Sequence, residues 1–159
     1  PVSNVLSAIV QFGVQMSLVL LFLGYYLLRG AVSPNWGAWL LIPVVLVHLG
    51  MLALGCGIII SSLTTKYRDL SILVGFGIQL WMYATPIVYP ISQIPMGWMR
   101  TVIQINPVTA PVELLRWAVL GQGSVDWVYY GISWVVTVLL ALAGVLVFNR
   151  VEKTFMDTV

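Results

Sequence analysis

Seven basic side chains, five acidic ones and a single histidine are all the charge, proton-transfer and ligand chemistry in these 159 residues, so spacing decides what each can do. His48 has no carboxylate and no second ligand near it in sequence, and reads as a neutral, packed or hydrogen-bonded residue rather than a proton relay. Cys56, the one cysteine, sits inside an apolar run as a small buried hydrophobe, from which neither a disulfide framework nor a metal site follows. Hydrolytic or glycosyl-transfer chemistry needs paired carboxylates, a histidine cluster or a nucleophile with its base. The long apolar runs hold no Asp or Glu, which argues against an intramembrane enzyme. A net charge of +2 is too small to suggest a nucleic-acid partner.

The polar side chains that remain are grouped by helical spacing. Asn4, Ser7, Gln11 and Gln15 recur at steps of three and four and form one stripe on a helix. In lipid such a stripe faces either a neighbouring helix or a water-filled lumen. Phe76, Gln79 or Leu80, and Tyr83 share a second face, with Trp81 projecting from another. That face suits a packed core and a carbohydrate path equally, because sugar C–H surfaces lie on aromatic rings and amides bind hydroxyls. Glu113 and Arg116 are i,i+3 neighbours with the acid on the N-terminal side, the better order for both the pair and the helix dipole. Either charge at the bilayer centre would cost ~3 kcal/mol, a penalty that an aqueous mouth removes. In the loop TTKYRDL, Lys66 and Arg68 favour a cytoplasmic side, and Asp69 is expected to cap the following helix; a plain solvated loop explains the same residues.

The elements that position these residues are those of an integral membrane chain: 60% hydrophobic, 8% charged, mean hydropathy +1.01. We expect an all-α single transmembrane domain with four spans near 5–28, 38–63, 71–88 and 127–148. The third span is short before its first proline and needs Ile87 and Val88 to complete it. The small residues Ala53, Gly57 and Ser61 on the second span, and Ser133, Thr137 and Ala141 on the last, are expected to let helices approach closely. Five of the eight prolines fall between Pro86 and Pro111. Broken backbone survives in hydrocarbon only where protein or a watery cavity surrounds it, so 90–121 is read as a re-entrant, outer-side hairpin. Its two pieces, Met96 to Ile105 and Ala110 to Leu120, are separated by Asn106-Pro107, with Thr109 as N-cap and Gly121 as stop. The tail 149–159 is expected to form a separate amphipathic helix along the cytoplasmic surface, with Val151, Phe155 and Val159 at four-residue steps. The first residues, Pro-Val-Ser-Asn, show no signal peptide and no natural start, which suits the C-terminal part of a longer protein.

The strings KYRDL, QLWMYATPIVYP, INP, VELLRWAVLG and FNRVEKTFMD, in this order over some ninety residues, resemble the permease subunit of type-2 ABC exporters. Within that group the chain is similar to the branch exporting O-antigen, capsule and teichoic-acid polymers. The resemblance implies the C-terminal part of a six-span fold, a homodimer paired with two copies of a nucleotide-binding ATPase subunit, and a multi-pass place in the bacterial inner membrane with a cytoplasmic C-terminus. It implies no cofactor in this chain, ATP and Mg being held by the partner; no GxxxxGK[ST] phosphate loop occurs here. It makes Lys66, Tyr67, Arg68 and Asp69 the coupling element on the ATPase, and Pro86, Tyr89, Pro90, Asn106, Pro107, Glu113 and Arg116 the outer gate. A lipid-linked glycan is expected to thread past Gln11, Gln15, Phe76, Gln79 and Tyr83, with membrane lipid around it. An exporter of drugs or other small amphipathic lipids is the alternative within transport, and a purely structural, helix-packing subunit the one outside it.

Overall fold

A computed structural model describes residues 2–67, 69–87 and 89–156. Arg68 of the coupling loop, Val88 of the third span and the end of the tail lie outside the described residues, as do the side chains of Lys66, Val151 and Phe155. The chain divides into two compact units, Pro1–Pro34 and Asn35–Val159.

The first unit is one helix, α1 (Val2–Leu28). It stops where Gly30 adopts φ 66. The Gly30 N–H then bonds Leu27 O and the Ala31 N–H bonds Tyr26 O, the paired bonds of a Schellman stop. Beside the stop, the Arg29 guanidinium lies 5.2 Å from the centre of the Tyr25 ring, so the charge that closes the apolar run rests on an aromatic face.

The second unit is built on α2 (Ile42–Lys66) and α6 (Trp127–Met156). A 3₁₀ segment, Trp36–Leu41, leads into α2. It is 3₁₀ because Pro43 lacks the N–H that would bond back to residue 39, and the Ile42 N–H takes Trp39 O instead. On α2 the buried positions Val45, His48, Leu52, Gly55 and Ser62 follow steps of three, four and seven, the spacing of a helix–helix seam. A Cβ at Gly55 would stand 2.9 Å from Ala141 N, and one at Gly144 2.9 Å from Gly55 O, so the two backbones touch through glycine. The stripe expected to do this, Ala53, Gly57 and Ser61, is exposed on a different side of α2 and lines a shallow groove with Leu54, Ile58 and Phe148. A helix carries several rows of small residues at spacings of three and four, and the row that packs is the one containing His48.

His48 meets Ser133 and Thr137, and Gly55 meets Ala141. Both contacts advance in the same direction along the two helices, so α2 and α6 run parallel. The chain leaving α2 at Lys66 must therefore return to the starting end before α6 begins. The return is made by α3 (Leu70–Ala84), a 3₁₀ turn at Ile91–Gln93, α4 (Trp98–Ile105) and α5 (Thr109–Leu120). At 15 residues, α3 is about 22 Å long, short of a ~30 Å hydrocarbon core. It ends at Ala84 and not at 88, because Pro86 forces Thr85 into extended backbone (φ −99, ψ 135). Among the described residues three helices are long and apolar enough to span a membrane, over Leu6–Leu28, Trp36–Thr65 and Trp127–Arg150.

Two further expectations are corrected. Asp69 stands at the N-cap position of α3 but makes no side-chain cap bond, because its own backbone is helical (φ −68, ψ −23) and does not turn the carboxylate onto the free N–H groups. Asp126 caps α6 instead, its Oδ1 accepting the Val128 N–H at 3.0 Å. The tail does not start a new helix at Asn149: α6 runs on unbroken for 30 residues to Met156, about 45 Å, so its last turns extend beyond a hydrocarbon core.

Nine apolar side chains, Pro86 and Pro111 included, are buried among the described residues, against seven polar or charged ones, His48, Ser62, Thr85, Thr109, Glu113, Ser133 and Thr137. Apolar side chains cover the outside, while most of the buried polar ones bond within to side chains or backbone carbonyls, the arrangement that a lipid solvent favours.

Candidate functional site

Six of the buried polar side chains, all but Ser62, converge where the returning segment meets the seam. Between α3 and α5 the chain passes through Thr85-Pro86 and Tyr89-Pro90, and proline leaves this stretch short of N–H donors while its carbonyls still need partners. Arg116, on the middle turns of α5, supplies them. Its Nη2 donates to Pro86 O at 3.1 Å and Ile87 O at 2.9 Å, and its Nη1 to Tyr89 O at 3.4 Å. Nη1 also pairs with Glu113 Oε1, which accepts the Ile91 N–H at 3.2 Å. The ion pair is thus a clasp across the break, with the guanidinium fork holding carbonyls on one side and the carboxylate holding an amide on the other. With the two side chains 14% and 6% exposed, removing either partner strands the other in a dry site.

A second set of bonds fixes the α4–α5 junction. Asn106 Nδ2 donates to Thr85 Oγ1 at 2.9 Å, and Asn106 Oδ1 accepts Trp81 Nε1 at 3.2 Å and the Val108 N–H at 3.1 Å. One amide therefore joins the end of α3 to the start of α5. Thr109 is not the N-cap: it lies inside α5, and its hydroxyl donates to Ile103 O at 2.6 Å, tying α5 to the end of α4. Asn106 assumes the capping role because the Pro107 peptide has no N–H to offer and the Asn side chain reaches the next free one, at Val108. Gly121 is the stop of α5, with φ 67 and its N–H on Trp117 O, a conformation that glycine adopts without strain.

The junction is then tied to the seam. Ser133 Oγ donates to Pro107 O, and Thr137 Oγ1 donates to Ser133 O at 2.8 Å. Both hydroxyl protons are engaged, so both oxygens can only accept from His48 Nε2, which lies 3.2 Å from Ser133 Oγ and 2.9 Å from Thr137 Oγ1. The proton count places a hydrogen on His48 Nε2. Its ring stacks on Trp134 at a centroid distance of 4.2 Å. His48 is thus the packed, hydrogen-bonded residue expected from its isolation in sequence, and it also anchors the junction. Thr85, Trp81 and Ser133 were not among the expected site residues. The available signal was an i,i+4 Ser/Thr pair within an apolar run, matched to a lone histidine.

The remaining expected residues are dispersed. Gln11 and Gln15 are exposed on α1, and Phe76, Gln79 and Tyr83 are exposed on α3. The Tyr83 side chain, with the residue 70% exposed, takes no part in the clasp. Tyr89 does, its hydroxyl donating to Tyr83 O at 3.2 Å. Of the expected gate, Pro86, Tyr89, Asn106, Pro107, Glu113 and Arg116 belong to the two bonded sets, and Pro90 precedes the Ile91 amide held by Glu113. At the other end of α3 the loop turns through Tyr67, whose N–H bonds Leu63 O at 2.9 Å, with Tyr67 and Asp69 exposed. An apolar cavity of about 410 Å³ lies between α2 and α3, lined by Leu52, Cys56, Ile78, Trp81 and Met82 among others.

The sequence model of the family described as ABC-2 type transporter matches residues 2–120, from α1 through α5. Two relatives from Klebsiella pneumoniae, each named O-antigen export system permease protein RfbA, are 30% and 29% identical over 99% of this chain and 58% of their own length. A protein of the same name from Myxococcus xanthus is 27% identical over 69% of this chain and 41% of its own length. The chain therefore spans about 58% of the length of the first two relatives.

Proposed function

The chain belongs to the ABC-2 type transporter family, and from that premise we propose that it forms the gate-bearing membrane part of a permease in an ATP-driven exporter of lipid-linked polysaccharide. The family places it among transport components rather than enzymes. ATP and Mg are held by a separate ATPase subunit, two copies of which serve a permease homodimer in the bacterial inner membrane. The observation that carries the glycan reading is the match of nearly the whole chain to two O-antigen export permeases.

In this reading the end bearing Lys66 and the C-terminus of α6 is cytoplasmic, and the end bearing Trp36 and Trp127 is outer. The α3 helix, with the few residues just beyond it, makes the third of four crossings. Helices α4 and α5, of 8 and 12 residues, are each too short to cross and form a re-entrant hairpin in the outer half. Pro107 bonds Ser133, six residues into α6, which sets the hairpin about 9 Å inside that end. ATP-driven closure pushes Lys66 to Asp69, α3 moves as a rod, and its far end, bonded to Asn106 and followed by the clasped prolines, opens the gate. Phe76, Gln79 and Tyr83 of α3 contact the glycan, a role that their exposure supports; Gln11 and Gln15, exposed on α1, are glycan contacts of the first unit taken by itself.

The apolar cavity beside Trp81 favours a second reading, export of a small amphipathic lipid or drug. The two are separated by reconstituting the full-length protein with its ATPase and measuring ATP hydrolysis against lipid-linked glycan and against a panel of amphipathic drugs. Stimulation by the glycan is expected. Stimulation by drugs alone would replace the polysaccharide reading.

A further inference from the structure

Glu113 engages only one of its carboxylate oxygens in the clasp. Oε1 holds Arg116 and the Ile91 amide, whereas Oε2 is buried without a hydrogen-bond partner in a residue that is 5% exposed. An unpartnered carboxylate oxygen in a dry site is costly. Glu113 borders a cavity of about 30 Å³ whose lining includes Gln104, Thr109, Ser124, Asp126 and Tyr129. That is room for a small ion and about one water. No lysine, arginine or histidine lines it. Asp126 directs Oδ1 to the start of α6, at the Val128 and Tyr129 N–H groups. The glycine turn closes over the carboxylate, since a Cβ at Gly123 would stand 3.2 Å from Glu113 Oε2. Two carboxylates border this space, with Arg116 offsetting one of them from the far side; the hydroxyls of Thr109, Ser124 and Tyr129 and the Gln104 amide share the rest of the lining with Ile91 and Ala110. Carboxylate, hydroxyl and carbonyl oxygens are the ligands of hard divalent ions.

We propose that this cavity binds one divalent cation of the calcium or magnesium type, taken up from the aqueous phase at the Trp127 end of the bundle, which ties the α5–α6 turn to the clasp. The cation neutralises Glu113 Oε2 and Asp126 together, so its loss loosens the turn before it disturbs the α2–α6 seam. The test uses the detergent-solubilised full-length protein, stripped of metal and free of nucleotide. Calcium chloride is titrated to a few millimolar, the range of weak extracellular sites, against choline chloride of equal ionic strength, and the unfolding temperature is read. A saturable rise is expected with calcium and none with choline. Asp126→Asn, which retains a capping side chain, and Ser124→Ala should each shift the half-saturating concentration upward, the former by about tenfold, as for loss of one charge-assisted contact. A rise no larger than with choline overturns the proposal, as does an unchanged half-saturation in both variants. Ethylammonium chloride forms a third arm; a saturable rise with it and none with calcium would overturn the metal assignment. The titration contains neither glycan nor ATPase, so its failure and that of the export reading are separate results.

Discussion

Arg116 and Asn106 are the residues on which the proline-broken segment depends, for the same reason: each satisfies backbone groups that proline leaves unpaired. Arg116→Ala removes donors from three carbonyls and leaves Glu113 charged in a site where it is 5% exposed. A loss of about 3–5 kcal/mol is expected, the usual result of breaking a buried pair from one side. Arg116→Lys should recover less than half of it, because an ammonium cannot reproduce the fork that reaches Pro86, Ile87 and Glu113 together. Denaturant unfolding of both variants decides the point, and wild-type stability in the alanine variant would remove the clasp from the account. Thr85→Val is a quieter test: it leaves the Asn106 amide without its acceptor in a site where Thr85 is 2% exposed, and should cost about 1–3 kcal/mol.

Among elements, the seam between α2 and α6 is the rigid part, and the direction of these two helices dictates the rest of the second unit. Because they are parallel, α3, α4 and α5 must carry the chain back, and the proline break falls where α3 ends below the starting level. The two glycine positions on α2 give opposite predictions. Gly55→Leu drives a side chain into Ala141 backbone at 2.9 Å and should destabilise by at least the ~1–3 kcal/mol of ordinary overpacking. Gly57→Leu, with nothing within 4 Å of its Cβ position, should change stability by about 0.5 kcal/mol or less, as a surface substitution does. Equal thermal shifts in the two variants would mean that the seam does not run through Gly55.

At the scale of the whole molecule, the loop after α2 and the clasp after α3 lie at opposite ends of one 15-residue helix, the arrangement on which the proposed coupling rests. Replacing Arg68 and Asp69 together with alanine in the full-length protein should leave it able to bind its ATPase, abolish polymer export and remove the substrate-stimulated part of ATP hydrolysis. Export and stimulated hydrolysis at wild-type rates would end the coupling reading of this loop.

Hydropathy alone determined that the chain is an all-helical membrane protein, because a run of apolar residues in lipid has no other way to pair its backbone. The prolines and the Glu113–Arg116 spacing likewise marked the broken segment and its pair. Tertiary structure decided which groups meet: the row containing His48 and Gly55 packs and the row containing Gly57 does not, Asp126 caps a helix and Asp69 does not, and α6 continues where a surface helix was expected. These are choices among equivalent local patterns, and only contacts distant in sequence, such as His48 with Ser133 or Arg116 with Pro86, distinguish them.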